Sequence, residues 1–338
     1  MKNITMIGFG SWGIALACLL DRNGHKVAAW DSNADYVGRL AVSRQNEYLP
    51  GVVIPQSICI TSDAAVAAKT ADIFVFALPS KGLGVIPQLF AGFFKPGVVI
   101  VSVSKGFDEG SQARICEYLQ GHAPGCAVVA LTGPSHAEEV IKGVPTAVVA
   151  ASACEAAAET VQHVFSTDTF RVYTSTDVIG VELGGAIKNV IALAAGCSDG
   201  LGLGDNTKAA LITRGIAEIT RLGVAMGAKE QTFGGLSGIG DLIVTCTSQH
   251  SRNWRAGYLL AKGKGLGEVL AEVGMVVEGA ATAETALQLA RKFNVEMPIV
   301  EEINNVLFAG KTPDEAVRDL MLRGMKDEYY SRSIHTRG

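Results

Sequence analysis

The sequence predicts an α/β domain followed by an all-α domain. In the first half, short apolar or β-branched runs alternate with glycine or polar turns and helix-like segments, which is typical of βαβ units. From about Asp177 onward, long Ala/Leu segments with a 3.6-residue periodicity replace the β-rich runs. The chain has 338 residues, of which 48% are hydrophobic, and at roughly 100–200 residues per domain this length accommodates about two domains. We therefore expect an α/β domain over residues 1–177 and a helical domain over 178–338.

The α/β domain is predicted to contain eight strands, several of which are continuous apolar runs, as in strands that are covered on both faces. The predicted strands are Ile4–Gly8, Val27–Trp30, Ile58–Ile60, Ile73–Ala77, Val98–Val103, Ala127–Leu131, Ala147–Ala150 and Phe170–Tyr173.

In the helical domain, Pro298 and Pro313 mark helix starts, whereas Gly227 and Gly310 mark helix ends. We expect the polar tail after Asp327 to be loosely held. The predicted helices are Val178–Ala195, Asn206–Met226, Asn253–Lys262, Gly267–Val273, Ala283–Lys292, Ile299–Phe308 and Pro313–Leu322.

Composition excludes several classes of function. The formal net charge of −4 leaves no excess of cations to neutralise a nucleic-acid backbone. No apolar stretch is expected to reach the roughly 18 residues of a bilayer span, and the N-terminal glycines come too early for a signal-peptide core. The seven cysteines include no CxxC pair, so we interpret them as reduced core residues of a cytoplasmic protein.

A glycine-rich turn, Gly8-Phe9-Gly10-Ser11-Trp12-Gly13, closes the first predicted strand and opens an apolar helix. This context gives the GxGxxG pattern its meaning, because it places a dinucleotide pyrophosphate at the N-terminus of a helix. Gly8 allows the tight turn, Gly10 the close approach of pyrophosphate to the backbone, and Gly13 close packing of helix on strand. The sequence therefore predicts a dinucleotide site here.

Asp31 ends the second predicted strand, 18 residues after Gly13. An acidic residue at this place accepts hydrogen bonds from the adenosine ribose hydroxyls. The alternative interpretation is a solvated turn residue.

A second glycine turn, Thr132-Gly133-Pro134-Ser135-His136, follows the sixth predicted strand, at the carboxyl edge of the sheet where ligands bind. Ser135 is either a ligand contact or a plain helix N-cap. His136 is a candidate general base, although a lone histidine in a turn is more often a solvated or packing residue.

Two lysines are candidates for chemistry. Lys105 follows the fifth predicted strand at the same carboxyl edge. Lys188 lies within an apolar helix beside Gly184-Gly185; desolvation there lowers the pKa of its ammonium group toward the range useful for proton transfer. The alternative for Lys188 is a lysine that extends from a helix–helix contact to solvent. The two glycines destabilise the helix, so we expect a cofactor or another backbone to approach them closely.

The remaining candidates follow in the helical domain. Asp241 comes after Gly238-Ile239-Gly240, where a carboxylate would orient a substrate hydroxyl or keep Lys188 charged. Ser251-Arg252-Asn253 combines N-cap residues with a cation at a helix start, which suits a phosphate, although a plain helix cap with a surface arginine is the alternative. Neither a metal-binding His or Cys pattern nor a Gly-x-Ser-x-Gly nucleophile turn is present in the sequence.

Over nearly its whole length the chain resembles the bacterial NAD(P)-dependent sn-glycerol-3-phosphate dehydrogenases. The matching stretches are GFGSWGIALA, EYLPGV, SKGF, TGPSHAEEV, ELGGAIKNVIALAAGCSDGLGLGDNTKAALITRG, GLSGIGDLIVTCTSQHSRN and VVEG. The resemblance implies a Rossmann-like domain followed by an all-helical domain that supplies a catalytic lysine. It also implies reduction of dihydroxyacetone phosphate to sn-glycerol 3-phosphate for phospholipid synthesis. No metal is expected, because the sequence contains no metal-binding pattern.

Carried over residue by residue, the resemblance makes Lys188 the proton donor and acceptor. The residues that it places around the glycerol phosphate are Lys105, Gly133, Ser135, Lys188, Asp241, Ser251, Arg252 and Asn253. Those that it places near the dinucleotide, beside the three glycines and Asp31, are Ser11, Trp12, Ser32, Tyr48, Lys105, Ala137, Arg252, Val276 and Glu278.

The chain departs from the family pattern just after the second strand. Family members often have His or Arg there, whereas this chain has Asp31-Ser32-Asn33. A carboxylate repels the 2′-phosphate of NADPH, so we predict that NADH is preferred over NADPH. Arg39 or Arg44 reaching back toward that phosphate is the alternative. The oligomeric state is open, a homodimer being one option.

Two other functions are compatible with these features. A related dehydrogenase acting on a carboxylate substrate would keep the glycine turn and Lys188 but would not need Ser251-Arg252-Asn253. A non-catalytic dinucleotide sensor would tolerate the loss of Lys188. Turnover of dihydroxyacetone phosphate would distinguish the glycerol-3-phosphate dehydrogenase from both of these alternatives.

Overall fold

A computed structural model describes residues 1–325, 327 and 328 of the chain. Residue 326 and residues 329–338, which include most of the tail expected to be loose and the end of the predicted second domain, lie outside the described residues.

The first half forms one eight-stranded sheet in the order β3-β2-β1-β4-β5-β6-β7-β8. Neighbouring strands are parallel except β6 and β7, which are antiparallel. All eight strand predictions are confirmed with small shifts in their ends. The strands are β1 (Asn3–Ile7), β2 (Lys26–Trp30), β3 (Cys59–Thr61), β4 (Ile73–Phe76), β5 (Val99–Ser102), β6 (Ala127–Thr132), β7 (Thr146–Ala151) and β8 (Phe170–Ser175).

Helices cover both faces of this sheet, which explains why β4 is buried at every position. Leu16 of α1 and Phe165 of α7 belong to the core on one face, whereas Phe90 of α4 and Leu119 of α5 belong to the core on the other. The helices of this half are α1 (Ser11–Arg22), α2 (Ala34–Ser43), α3 (Ala64–Ala68), α4 (Ile86–Phe90), α5 (Ile115–His122), α6 (Ala137–Val140) and α7 (Glu155–Phe165).

From residue 178 onward the described chain is helical, as expected. The helices are α8 (Val178–Leu201), α9 (Gly204–Ala225), α10 (Asp241–Thr247), α11 (Arg252–Ala261), α12 (Leu266–Val273), α13 (Glu278–Lys292), α14 (Pro298–Phe308) and α15 (Pro313–Met321). Helix α8 is central, because α9, α10, α11, α13 and α14 all pack against it.

The expectation that no apolar stretch is long enough to cross a membrane was wrong for α8. This helix has 24 residues and contains an 18-residue window with a mean hydropathy of 1.6. However, 78% of that window is buried inside the protein. Its apolar length follows from its position in the core of the helical half.

Three other expectations need correction. The sequence did not predict α10, and α13 begins at Glu278 rather than at Ala283. All seven cysteines are free, as expected, but Cys59 and Cys154 are exposed and are not core residues.

Candidate functional site

The glycine turn between β1 and α1 has the geometry that a dinucleotide site needs. Gly8 has a φ of +92°, and a Cβ there would lie 2.6 Å from the carbonyl oxygen of Ala77. A Cβ on Gly13 would lie 2.1 Å from the carbonyl oxygen of Gly8, so the helix packs closely on the turn. A Cβ on Gly10 would meet nothing within 4 Å. The turn is therefore closed at two glycines and open at the third, beside the first turn of a 12-residue helix.

Asp31 is tied to this turn. One carboxylate oxygen accepts a hydrogen bond from the backbone N–H of Phe9 at 3.1 Å, and the other accepts one from Asn33 at 3.1 Å. The hydroxyl of Tyr36 donates to the carbonyl oxygen of Phe9 at 2.8 Å and accepts from the amide of Asn46 at 2.6 Å. These contacts connect the second strand and the loop after α2 to the glycine turn. Nothing in the sequence had marked Tyr36 or Asn46.

Arg44 and Arg39, the two arginines considered as partners of a 2′-phosphate near Asp31, differ in their contacts. The guanidinium of Arg44 donates to the carbonyl oxygens of Ile58 at 2.8 Å and Pro55 at 3.2 Å, so it is engaged elsewhere. Arg39 is exposed on α2.

Lys188, Asp241 and Lys105 form one buried ionic network. Lys188 on α8 donates to one carboxylate oxygen of Asp241, and Lys105 donates to the other at 2.8 Å. Lys188 also donates to the hydroxyl of Thr245 at 2.6 Å. Lys188 and Asp241 are 4% and 1% exposed, so the interaction takes place out of water. One carboxylate is thus shared between two ammonium groups that come from different halves of the chain.

Burial and charge shift the pKa values of this pair in ways that suit proton transfer. Burial lowers the pKa of Lys188, and the Asp241 carboxylate partly offsets that effect. Burial by itself would raise the pKa of Asp241, but the two lysines and their hydrogen bonds hold it below its ordinary value. Asp241 therefore stays ionised, while Lys188 is closer to releasing its proton than an exposed lysine is.

Close backbone packing creates this arrangement. A Cβ on Gly184 would lie 2.4 Å from the carbonyl oxygen of Ser237, and one on Gly185 would lie 2.9 Å from the hydroxyl of Thr132. Of the two expected partners, a cofactor or another backbone, the structure shows a backbone at Gly184: it belongs to the turn over Leu236–Gly240, which leads directly into α10. Because that turn rests on α8 one helical turn before Lys188, Asp241 at the start of α10 is brought within reach of the ammonium group.

The turn after β6 lies on the other side of Lys105. Gly133 has a φ of +154°, and a Cβ there would lie 2.9 Å from the backbone of Val148. Its carbonyl oxygen accepts from Lys105 at 3.5 Å and from the hydroxyl of Ser135 at 2.9 Å. The residue before α6 is His136, so the interpretation of Ser135 as the N-cap is wrong.

Ser251 is the N-cap of α11, and its hydroxyl accepts a hydrogen bond from the backbone N–H of Trp254 at 3.2 Å. The Asn253 side chain is buried; it donates to the side chain of Asn189 at 3.0 Å and accepts from the backbone N–H of Gly279 at 2.8 Å. The Asn253 contact therefore ties the start of α11 to α8, at the residue that follows Lys188. Arg252 is exposed at the same helix start.

Glu278, the first residue of α13, joins the two halves. Its carboxylate accepts from the hydroxyl of Ser80 at 2.7 Å and from the backbone N–H of Ser80 at 3.3 Å. Burial raises the pKa of Glu278, and these hydrogen bonds together with the charge of Arg252 oppose that effect. Ser80 begins the short 3-10 helix Ser80–Gly82, and no local pattern in the sequence indicates its contact with Glu278.

The other residues predicted to contact the cofactor differ in their exposure to solvent. Ser11, Trp12 and Val276 are half-buried and Ala137 is buried, whereas Ser32 and Tyr48 are exposed. Within residues 1–325, 327 and 328, no group of three or more His, Cys, Asp or Glu side chains is arranged to hold a metal ion.

Comparisons with known proteins agree with this architecture. Residues 3–158 match the model of the NAD-dependent glycerol-3-phosphate dehydrogenase N-terminus, and residues 177–318 match that of the C-terminus. A glycerol-3-phosphate dehydrogenase [NAD(P)+] from Desulfitobacterium hafniense is 52% identical over 97% of this chain and 93% of its own. One from Bacillus subtilis is 51% identical over 97% of this chain and 96% of its own.

A solved structure supports the same relationship. The crystal structure of a glycerol-3-phosphate dehydrogenase from Coxiella burnetii superposes with a TM-score of 0.92 at 34% identity, covering 95% of this chain and 99% of its own. The resemblance and the fold class stated from the sequence are thereby confirmed. With family models matched on both halves and relatives at about half identity over nearly the full length, the chain belongs to the NAD(P)-dependent glycerol-3-phosphate dehydrogenase family of oxidoreductases.

Proposed function

We propose that this protein interconverts dihydroxyacetone phosphate and sn-glycerol 3-phosphate, with residues 1–177 holding NAD(H) and residues 178–338 holding the reacting lysine. The observation that carries the proposal is the buried Lys188–Asp241–Lys105 network at the junction of the two halves. Family membership supplies the substrate class, and the phosphate-binding chemistry of residues 251–253 fits it.

Lys188 acts as the acid in ketone reduction. When bound, the nicotinamide supplies or accepts the hydride at the carbon that carries the oxygen. Lys188 gives the proton of its ammonium group to the developing alkoxide oxygen, and in the reverse direction its neutral amine takes that proton back. Asp241 keeps Lys188 oriented and charged, and Lys105 balances the second carboxylate oxygen.

The phosphate of the substrate binds at the start of α11. Ser251 and Asn253 order the helix start, and the guanidinium of Arg252 supplies the exposed cation. A charged fork beside free backbone N–H groups is suited to a phosphate dianion. Gly133 and Ser135, which share hydrogen bonds with Lys105, line the neighbouring side of the substrate site.

The dinucleotide binds across the glycine turn, where the open side of Gly10 fits a pyrophosphate. Ser11, Trp12 and Ala137 line this path with Ser32 and Tyr48 near the adenosine end. Val276 and Glu278 lie at the α13 end, and Arg252 and Lys105 serve both ligands.

We infer further that NADH is preferred over NADPH. Asp31 is held in place by two backbone N–H groups, and Arg44 is engaged with carbonyl oxygens, which leaves the carboxylate against an incoming 2′-phosphate. At 4 Å and an effective dielectric of about 20, one pair of like charges costs about 4 kcal/mol before screening. A residual of about 1.4–2.8 kcal/mol gives a preference of about tenfold to a hundredfold. Equal kcat/KM for the two cofactors at one ionic strength would contradict this inference. Asp31→Ala is expected to bring the kcat/KM values for NADH and NADPH closer together.

The central test is oxidation of NADH in the presence of dihydroxyacetone phosphate by the wild type and by Lys188→Ala. The variant is expected to lose about 10²–10⁴-fold in kcat while still binding NADH. Turnover of a 2-hydroxy acid instead would favour a carboxylate-specific dehydrogenase, and cofactor binding without any turnover would favour a sensor. Wild-type turnover by Lys188→Ala would remove Lys188 from the mechanism.

The setting of the enzyme is inferred as well. Seven free cysteines, five of them buried, suit the reducing conditions of the cytoplasm. We also infer a homodimer, which analytical ultracentrifugation would test.

A further inference from the structure

His136 carries a nitrogen that the described part of the chain leaves without a partner. The residue stands between Ser135 and the first residue of α6. Its Nε2 atom is buried, yet it has no hydrogen-bond partner among the described residues. Burying an unpaired polar nitrogen costs free energy, and such atoms in native proteins usually pair with a ligand or with water.

The surroundings of His136 point toward the phosphate end of the substrate site. Its ring lies 5.9 Å from the ring of His250, with the two planes inclined by 56°. His250 directly precedes Ser251, the N-cap of α11. The imidazole thus lies beside the segment that leads into the proposed phosphate site, with an aromatic ring as its neighbour.

Electrostatics favour the neutral form of this imidazole. Burial lowers the pKa of His136, and the ammonium groups of Lys188 and Lys105 lower it further, against a smaller effect of Glu138 and Glu139. A neutral imidazole has one N–H donor and one acceptor. Lys188 and Lys105 already supply positive charge near this position. The neutral His136 imidazole would add a directional hydrogen-bond donor without adding another charge.

We propose that His136 is a further substrate-contacting residue, whose Nε2–H donates a hydrogen bond to the phosphate group of the bound three-carbon ketose phosphate. This inference rests on the proposed function, because that function supplies the phosphate. A buried donor that only a phosphorylated substrate satisfies also discriminates against the unphosphorylated ketone.

The test compares His136→Phe, which keeps a flat ring without the donor, with His136→Gln, which keeps an N–H donor. In His136→Phe the KM for dihydroxyacetone phosphate is expected to rise about tenfold to a hundredfold, the effect of one hydrogen bond to a charged group. The inhibition constant of inorganic phosphate should rise in parallel. The KM for NADH and the kcat/KM for unphosphorylated dihydroxyacetone should stay unchanged, and His136→Gln should recover most of the loss.

His163→Phe is the matched control, because it makes the same change at an exposed histidine of α7, outside the proposed site. Its kinetics should be close to those of the wild type. An unchanged KM for dihydroxyacetone phosphate in His136→Phe overturns the proposal, and so does an equal loss with the phosphorylated and unphosphorylated ketones, which would show a merely structural role.

Two measurements separate this inference from the proposed function. A wild-type protein that binds NADH but does not turn over dihydroxyacetone phosphate refutes the proposed function. Independently of turnover, titration with inorganic phosphate should shift the NMR signals of the His136 imidazole, identified by their absence in His136→Gln. Wild-type turnover without any such shift refutes the His136 contact alone.

Discussion

Asp241→Asn tests how the buried network sets the state of Lys188. The substitution keeps the size of the side chain but removes the carboxylate that two lysines share. The Lys188 side chain is 6% exposed and that of Lys105 is 22% exposed, so water replaces little of the lost interaction at Lys188. The pKa of Lys188, already lowered by burial, should therefore fall further.

The size of the effect follows from Coulomb's law. At about 4 Å and an effective dielectric of about 20, one charge pair contributes about 4 kcal/mol. Rearrangement of the protein and water around the variant side chain reduces this energy. If about a third of it remains, the pKa of Lys188 falls by about one unit, since one unit corresponds to about 1.4 kcal/mol. The free energy of unfolding should also fall, because the buried ammonium group loses its charged partner.

The assay is kcat/KM for reduction of dihydroxyacetone phosphate as a function of pH. Loss of activity on the alkaline side reports deprotonation of the acid, so this limb should move to lower pH in Asp241→Asn. Asp199→Asn is a suitable control, because Asp199 also lies on α8 and also pairs with a lysine, Lys208, at 2.9 Å. The alkaline limb of the pH profile of Asp199→Asn should stay at the wild-type pH. An alkaline limb at the wild-type pH in Asp241→Asn would refute the role given to the carboxylate.

Two further predictions concern stability. Gly184→Ala should lower the free energy of unfolding by about 1–3 kcal/mol and reduce kcat, because the new Cβ would lie 2.4 Å from the carbonyl oxygen of Ser237. Gly267→Ala is the control, because a Cβ there would meet nothing within 4 Å. Equal melting temperatures of the two variants would contradict the argument. Burial raises the pKa of Glu218 to about 7 although its carboxylate accepts from the backbone N–H of Ile299. A raised carboxyl pKa stabilises the folded state below the unfolded pKa, and this contribution disappears as pH rises from about 4.5 to 7. Relative to Glu218→Gln, the wild type should therefore lose about 3 kcal/mol over that range in chemical denaturation, and a pH-independent difference would contradict the burial argument.

The features that the sequence predicted are those with local causes. The glycine turn was predictable because the requirements at Gly8 and Gly13 arise within one strand–turn–helix unit. Lys188 was marked by its apolar helical neighbours, and Gly184 by its cost to the helix. The strands of the sheet followed from runs of apolar residues that are covered on both faces.

The features that were missed have causes elsewhere in the chain. Helix α10, with Thr245, follows a glycine-rich turn, and glycines in a sequence usually indicate a loop. Here a Cβ on Gly238 would lie 2.2 Å from the carbonyl oxygen of Phe233, so this glycine allows close packing. Ser80 meets Glu278 across 198 residues of chain, and neither the pattern nor the composition around Ser80 indicates that contact.

The sequence by itself determined the two architectures and the glycine turn after the first strand, and it marked Lys188 as the candidate for proton transfer, because periodicity, turn chemistry and desolvation within a helix act over a few residues. Only the tertiary structure decided that Asp241 lies between Lys188 and Lys105, which precede it by 53 and 136 residues. The protonation state of Lys188 depends on that distance and on the exclusion of water, and both arise when α8 packs against the turn before α10 and the carboxyl edge of the sheet.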